Sequence, residues 1–313
     1  MEASTFQRPM IIRPPSEWRS YYLPMTSGCS NNTCEFCGYY GAKLKIRPLD
    51  DIKEEIDALS LYMQQQVIVP GMSRTVYEIA RGWDGKRIFL QDGDALVYPT
   101  DKLIEALAYL NGKFPKLERI AAYATTQDLL RCSVQQLEDL RKLKLGIVYV
   151  GIESGDEGVL QTQRKGVIGW DIVSAGRKAK EAGIDLSVTV ILGLAGSEGS
   201  EQHCVKTSEI LSALDPEYAA ALTLTIVPGT PLYRKAQEGE FHPISPWQSL
   251  QELRMIVENC NFSHCFFSSM HASNYLAVRG VLPHEKDKML RSIDAILTKQ
   301  DVSMLRPEYL RGL

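Results

Sequence analysis

TSGCSNNTCEFCGYY (26–40) is the stretch of sequence on which the fold assignment depends. It carries three cysteines, Cys29, Cys34 and Cys37, within nine residues. Clustered cysteines in a chain of this size indicate metal ligands sooner than disulfides. Iron–sulfur clusters are held by thiolates, normally four, so three cysteines leave one iron open to a substrate or cofactor. A structural zinc site with one distant fourth ligand is the alternative.

Around this segment, short apolar runs alternate with helical patterns from about residue 20 to 230. The predicted strands are 20–25, 87–92, 117–125, 145–154, 184–194 and 217–227. The predicted helices are 48–66, 100–110, 133–143, 156–163, 170–182 and 200–213. Six such units in sequence predict a parallel sheet with right-handed crossovers, whose functional residues follow the carboxyl ends of the strands.

This arrangement resembles the radical SAM superfamily, in which three cysteines follow the first strand of a six-stranded partial barrel. The family's last cysteine pair reads Cys-x-aromatic-Cys, and Cys34-Glu35-Phe36-Cys37 fits it, although the first spacing is four residues instead of the usual three. The resemblance covers about residues 20–230. It implies an α/β fold, a partial (βα)6 TIM-like barrel with a C-terminal α-rich extension.

The domain organisation implied is an N-terminal segment (1–19), the radical SAM core barrel (20–230) and an extension closing the barrel (231–313). Residues 67–86 look like an insertion or lid. LTLTIVPGTPLY (222–233) resembles the branch of oxygen-independent coproporphyrinogen oxidases and the Elongator catalytic subunit. HASNYLAVRGVLPHEKDKMLRSID (271–294) is similar to small bacterial members without an assigned substrate.

The resemblance implies which residues contact S-adenosylmethionine (SAM). Its amino group would bind at Asp92-Gly93-Asp94, where a carboxylate can form a charge-assisted hydrogen bond with an ammonium ion. The remaining implied contacts are Glu153 and Ser154 with the ribose and methionine moiety, Arg164 or its rival Lys165 with the carboxylate, and Leu192, Gly193 and the backbone of Phe36 with the adenine.

The function implied is reductive cleavage of SAM at a 4Fe–4S cluster held by the three cysteines. The resulting 5′-deoxyadenosyl radical would take hydrogen from an unidentified substrate, with a reductant such as flavodoxin or ferredoxin supplying the electron. A haem or metal-cofactor chaperone that keeps the cluster without turnover is the alternative. His271 and Asn274 are candidates for the substrate side, and Cys260 and Cys265 are either further metal ligands or buried thiols.

The net charge and the distribution of apolar residues restrict the classes of substrate and partner that are expected. A net charge of −3 gives no electrostatic attraction to nucleic acid or to an anionic membrane, so a small molecule or peptide is the expected substrate. No apolar run approaches the length of a membrane span, which is about 20 residues. The N-terminus lacks the apolar region of a signal peptide, and the expected location is the cytoplasm.

Overall fold

The computed structural model describes residues 6–312, so the first five residues of the predicted N-terminal segment and the last residue of the extension lie outside it. The strands are β1 (Tyr21–Pro24), β2 (Thr26–Ser27), β3 (Lys45–Ile46), β4 (Arg87–Gln91), β5 (Arg119–Ala124), β6 (Leu145–Glu153), β7 (Asp185–Leu192), β8 (Tyr218–Thr223), β9 (Cys265–Ser268) and β10 (Arg279–Leu282). The α-helices are α1 (Leu49–Gln65), α2 (Arg74–Ala80), α3 (Thr100–Lys113), α4 (Thr126–Arg131), α5 (Val134–Lys142), α6 (Glu157–Thr162), α7 (Gly169–Glu181), α8 (Ser200–Leu214), α9 (Pro231–Gln237), α10 (Pro246–Asn259) and α11 (Lys286–Lys299).

Eight strands form a mostly parallel sheet in the order β1-β4-β5-β6-β7-β8-β9-β10. Strands β1, β4 and β5 pair in parallel, as do β7, β8 and β9, whereas β10 is antiparallel to β9. The predicted α/β class and the six strands of the alternation are therefore confirmed. None of the helices in the described part of the chain is long and apolar enough to cross a bilayer.

Three features differ from the sequence-based expectation. Strand β8 ends at Thr223, four residues before the predicted end, and the extension adds β9 and β10 besides its helices. These two strands are only four residues long, too short for an alternation of apolar residues to stand out. The expected insertion at 67–86 contains α2, which packs on α1 and β1.

The chain divides into two compact units, whose bounds cut across the predicted division at residue 230. Within the described residues, unit 1 comprises 6–32, 41–149 and 178–185, and unit 2 comprises 33–40, 150–177 and 186–312. Cys29 belongs to unit 1, whereas Cys34 and Cys37 belong to unit 2.

Unit 1 is built on an aromatic core. Tyr22, Phe89, Ala121 and Ile147, one from each of β1, β4, β5 and β6, form its buried cluster. The N-terminal segment packs on the same unit through Glu17, which accepts hydrogen bonds from Arg119 and Tyr149. Burial of large rings stabilises this unit by about 1.5–3 kcal/mol per side chain.

Unit 2 is built from strands β7 to β10 with helices against them. Leu186, Val188, Val190 and Leu192 alternate along β7 and are buried. Helix α10 packs on both α8 and α11. It begins at a capping box, in which Ser245 and Gln248 satisfy each other's backbone N–H groups.

Candidate active site

The cysteine segment begins in unit 1 as a loop closed at its base by two short strands. Strand β2 pairs with β3 in an antiparallel ladder, and the Gly41 N–H donates to the Asn32 carbonyl at 2.8 Å. Gly28, beside Cys29, has a φ of +89°, and a Cβ there would lie 2.7 Å from the Lys43 carbonyl oxygen. Only glycine fits this position, so the start of the loop has one defined conformation.

Two aspartates at the end of β4 hold the residues on either side of Cys29. The Asp92 carboxylate accepts from the Gly28 N–H at 3.1 Å, and the Asp94 carboxylate accepts from the Ser30 hydroxyl. Both aspartates are buried. Unit 1 thus brings the predicted residues Asp92 and Asp94 to the loop of Cys29, with the half-buried Gly93 between them.

Asp94 lies in an unusual electrostatic environment. Burial, followed by the neighbouring Asp128, raises the pKa of Asp94 to about 8. Hydrogen bonds from Ser30 and from the Val97 N–H act in the opposite direction. Among residues 6–312 no cation pairs with Asp94, and Asp128 has Arg131 at 3.4 Å. Asp128 was not among the predicted site residues, because it follows β5 inside a helix.

In unit 2 the segment of Cys34 and Cys37 is tied at its centre by backbone hydrogen bonds. The Glu35 N–H donates to the Gln163 carbonyl at 3.1 Å, and the Glu35 carbonyl accepts from the Leu232 N–H at 3.1 Å. The Cys37 N–H donates to the Cys34 carbonyl at 3.2 Å, so the two cysteines share one tight turn. Their register is therefore set by backbone on both sides.

The Glu35 side chain carries two ion pairs. Its carboxylate lies 2.5 Å from Lys235 Nζ and 3.1 Å from Arg164 Nε. Glu35 is only 4% exposed, whereas the Arg164 side chain is 63% exposed. Arg164, predicted to meet the SAM carboxylate, thus already contacts a carboxylate of the protein.

Glu153 and Lys165 form a second ion pair near the cysteines. Their side chains are 2.9 Å apart and both are mostly buried. Gly151 leaves the space for this carboxylate, since a Cβ there would lie 2.0 Å from Glu153 Oε1. Burial raises the pKa of Cys34 to about 11, and the charge of Lys165 acts in the opposite direction. Unit 2 therefore brings Glu153 and Lys165 close to Cys34.

Ser154 is fully buried and bonded within the protein. Its Oγ lies 2.8 Å from His203 Nδ1 and accepts from the Asp156 N–H at 3.0 Å. The His203 Nε2 donates to the Ile191 carbonyl at 3.1 Å, and burial lowers the pKa of His203 to about 4. The histidine is thus neutral, and its Nδ1 accepts a hydrogen bond from the Ser154 hydroxyl. Both hydrogen-bonding functions of the Ser154 hydroxyl are used to fix the end of β6.

The predicted adenine segment follows β7. Leu192 is buried, and the Gly193 N–H donates to Glu252 Oε2 at 2.7 Å. The other oxygen of Glu252 accepts from Ser200 at 2.6 Å, and burial raises the pKa of Glu252 to about 7. Gly193 has a φ of +81° and a Cβ there would meet Ile244 at 2.7 Å. Glu252, which lies on α10, therefore fixes the conformation of the loop after β7.

His271 and Asn274 lie in a hydrogen-bonded turn after β9. The Asn274 amide donates to the Ala221 and Ser269 carbonyls and accepts from Thr223, at 2.7–2.9 Å. Asn274 is 3% exposed, so these bonds join the turn to β8. His271 is half-buried, and burial together with Arg306 lowers its pKa.

The second cysteine pair, for which metal binding and burial were both open, is deeply buried. Cys260 ends α10 and Cys265 begins β9, and both are free thiols. Burial raises the pKa of Cys260 to about 12 and that of Cys265 further still. Their environment is that of small core side chains.

The family model of the radical SAM superfamily matches residues 23–203, more than half of the 313 residues. The matched range contains all three clustered cysteines and the predicted SAM-contacting residues from Asp92 to Gly193. The chain belongs to the radical SAM superfamily. It is thus an enzyme of a superfamily that uses a 4Fe–4S cluster and SAM, and the zinc alternative is replaced by this assignment.

Relatives of this radical SAM chain include tRNA-2-methylthio-N(6)-dimethylallyladenosine synthase from Nitrosospira multiformis. It is 25% identical over 226 residues, covering 70% of this chain and 44% of the relative. The chain spans about half the length of the curated relatives it matches. One from Methanocaldococcus jannaschii, 20% identical over 71% of this chain and 49% of the relative, is named as a putative methylthiotransferase, and neither name supports the chaperone hypothesis.

Two solved structures are similar in fold. The radical SAM methyltransferase TsrM from Kitasatospora setae, with cobalamin and a [4Fe-4S] cluster bound, has a TM-score of 0.55 at 16% identity, covering 76% of this chain and 44% of that one. Coproporphyrinogen III oxidase from Escherichia coli has a TM-score of 0.53 at 16% identity, covering 76% and 51%. The predicted relation to the latter branch is confirmed at the level of the fold.

The cysteines of this radical SAM chain fit a cluster by the chemistry of their donor set. Within the described residues, Cys29, Cys34 and Cys37 form no disulfide; Cys34 is buried and the other two are half-buried. Cys37 Sγ also accepts from the Tyr39 N–H at 3.5 Å, the kind of hydrogen bond that tunes a cluster. Phe36, between the two cysteines of unit 2, is half-buried as well.

Proposed function

We propose that this chain holds a 4Fe–4S cluster on Cys29, Cys34 and Cys37, binds SAM beside it, and uses the cleaved cofactor to take hydrogen from a substrate. When bound and reduced, the cluster supplies the electron that breaks the sulfur–carbon bond of SAM, giving methionine and a 5′-deoxyadenosyl radical. Enzymes of this superfamily need an electron donor, and a flavodoxin or ferredoxin suits that role.

The observation that carries the proposal is the pair of carboxylates flanking Cys29. Asp92 and Asp94 accept hydrogen bonds from Gly28 and Ser30, the residues directly before and after that cysteine. An ammonium group recruited by these carboxylates would be held next to a cluster ligand. Charge-assisted hydrogen bonds of this kind are about twice as strong as neutral ones.

The roles assigned to other residues follow from their contacts. Glu153 and Lys165 form a polar pair near Cys34, which suits contact with the ribose and the carboxylate of SAM. Lys165 is preferred over Arg164 for the carboxylate, because Lys165 is mostly buried near Cys34 whereas the Arg164 side chain is exposed. Ser154 and Glu252 act as positioning residues for the ends of β6 and β7. Leu192 and Gly193 would line the adenine, as would the backbone of Phe36.

The proposed substrate is a small molecule or peptide, and the proposed location is the cytoplasm. A net charge of −3 gives no attraction to the phosphates of tRNA, the nucleic acid in the name of the relative described above. His271 is proposed for the substrate side in preference to Asn274, whose amide is fully bonded inside the protein.

The test is formation of 5′-deoxyadenosine. Protein reconstituted anaerobically with iron and sulfide, reduced and given SAM should produce it. Single alanine variants of Cys29, Cys34 and Cys37 should lose both the cluster and the product, whereas Cys132→Ala, which alters a buried thiol outside the segment, should keep both. If the Cys34→Ala variant still bound iron and still produced deoxyadenosine, the assignment of Cys34 as a cluster ligand would be refuted. A loaded cluster that never yields deoxyadenosine would refute the cleavage.

A further inference from the structure

An acidic residue lies between two of the proposed cluster ligands. Glu35 follows Cys34 directly, so their Cα atoms are about 3.8 Å apart. Its side chain is 6% exposed, and its two oxygens contact Lys235 and Arg164 separately. A buried carboxylate is costly unless it is paired, so these cations account for its presence.

The partners of Glu35 come from two distant parts of unit 2. Lys235 lies on α9, which begins after Thr230, whose hydroxyl accepts from the Tyr233 N–H at 3.2 Å. Arg164 follows α6, and its carbonyl accepts from the Thr33 hydroxyl at 3.2 Å. The backbone of Glu35 is bonded to the same two regions, at Gln163 and Leu232. Side chain and backbone thus fasten the segment to both.

The charges of this group also bear on the cluster. Reduction adds one electron, and a cluster's potential depends on nearby charge and hydrogen bonding. Lys235 is two-thirds buried, so water screens it less than the exposed Arg164. Within this triad, two cations outweigh one carboxylate.

We infer that Glu35 is a positioning residue that, with Lys235 and Arg164, holds the segment of Cys34 and Cys37 and sets the reduction potential of the cluster on it. This inference rests on the proposed function. It assigns to α9 a part in tuning the cluster, although no residue of α9 is among the proposed ligands.

Four variants of the reconstituted full chain distinguish an effect of charge on the cluster potential from an effect of a loosened cysteine segment. Glu35→Gln leaves two cations without their carboxylate, so the midpoint potential should shift to a more positive value. Lys235→Met removes a cation and should shift it to a more negative value, and Arg164→Gln should do the same to a smaller extent. Lys235→Arg keeps the charge and should keep the wild-type potential. Potentials are measured by redox titration of the cluster's electron paramagnetic resonance signal, with iron content alongside.

The matched control is Lys206→Met, which breaks an exposed ion pair with Glu209 in the same unit and should leave the potential unchanged. Shifts of opposite sign in Glu35→Gln and Lys235→Met support the inference, since loosening of the segment would move both in one direction. Shifts of equal sign, or none, overturn it. If Glu35→Gln loads no iron, Lys235→Met against Lys235→Arg decides: a lower potential only in the former supports the inference, and equal potentials overturn it.

Failure of the inference is distinguishable from failure of the proposed function. A wild-type chain that takes up no 4Fe–4S cluster overturns the proposed function and this inference together. A wild-type chain that loads the cluster and cleaves SAM, with potentials insensitive to these substitutions, overturns the inference alone.

Discussion

Three buried acidic side chains of the candidate site, Glu35 and Glu153 in unit 2 and Asp94 in unit 1, have opposite electrostatic surroundings. In unit 2, Glu35 pairs with Lys235 and Arg164, and Glu153 pairs with Lys165. In unit 1, Asp94 lies against another carboxylate, Asp128, and no cation within residues 6–312 pairs with it. A buried carboxylate without a counter-ion is stabilised by any ligand that brings positive charge. The cations beside Glu35 and Glu153 thus compensate these two charges within the protein, whereas Asp94 is suited to bind a cationic ligand.

Substitution of Asp94 is the strongest way to break this comparison. Asp94→Asn should weaken SAM binding about 10- to 100-fold, since hydrogen bonds to charged groups contribute roughly 1.5–3 kcal/mol. The measurement is equilibrium binding of SAM to the cluster-loaded protein. Asp101→Asn, an exposed carboxylate at the start of α3, is the control and should bind SAM as the wild type does. Equal affinity in Asp94→Asn and Asp101→Asn would show that Asp94 does not meet the ammonium group.

Substitution of Glu153 should have its main effect on stability. Glu153→Gln leaves the mostly buried Lys165 without its counter-ion, and the free energy of unfolding should fall by about 1–3 kcal/mol. Urea unfolding of the iron-free protein measures this. Glu209→Gln breaks an exposed pair and should change stability by no more than about 0.5 kcal/mol. If both glutamine variants unfold at the same urea concentration, the Glu153 pair is not stabilising.

The pH dependence of stability sharpens the contrast. The pKa of Asp94 is about 8 in the folded chain and about 3.9 in an unfolded one. Between these two pH values Asp94 is protonated in the folded state and ionised in the unfolded one. Its contribution to the free energy of unfolding therefore falls as pH rises, by at most about 1.4 kcal/mol per pH unit, and is constant above pH 8. Stability of the wild type relative to Asp94→Asn should therefore decline from pH 5 to pH 8, as followed by urea unfolding. A difference independent of pH would contradict the raised pKa.

The fold was largely predictable because its signals are local. β-Branched runs such as VTVIL in β7 and the cap at Ser133 identify strands and helices without knowledge of the rest of the chain. The cysteine segment was recognisable for the same reason, since its three thiols lie close together in sequence. Strands β9 and β10 were not predicted, because only their pairing with neighbouring strands identifies them and their amino-acid composition does not.

The contacts within the site were less predictable because they join distant parts of the chain. Glu35 and Lys235 are 200 residues apart, and no pattern in CEFC indicates that its glutamate is buried and paired. Glu252, which shapes the loop at Gly193, is equally remote. Ser154 and Asn274 were predicted to contact a ligand, but they form hydrogen bonds with buried backbone groups. A polar residue after a strand can have either role, and its position in the sequence does not show which.

The link between Glu35 and α9 has a consequence for how the protein is made. Chains are synthesised at about 5–20 residues per second, so the ribosome needs roughly 10–40 s to pass from Glu35 to Lys235, 200 residues later. During that interval neither the Lys235 ion pair nor the Leu232 hydrogen bond can exist, and Cys34 and Cys37 emerge on a segment that lacks its final supports. Loading of the proposed cluster in the arrangement described above would therefore be a late event of biosynthesis, because the segment reaches that arrangement only after Lys235 has been made.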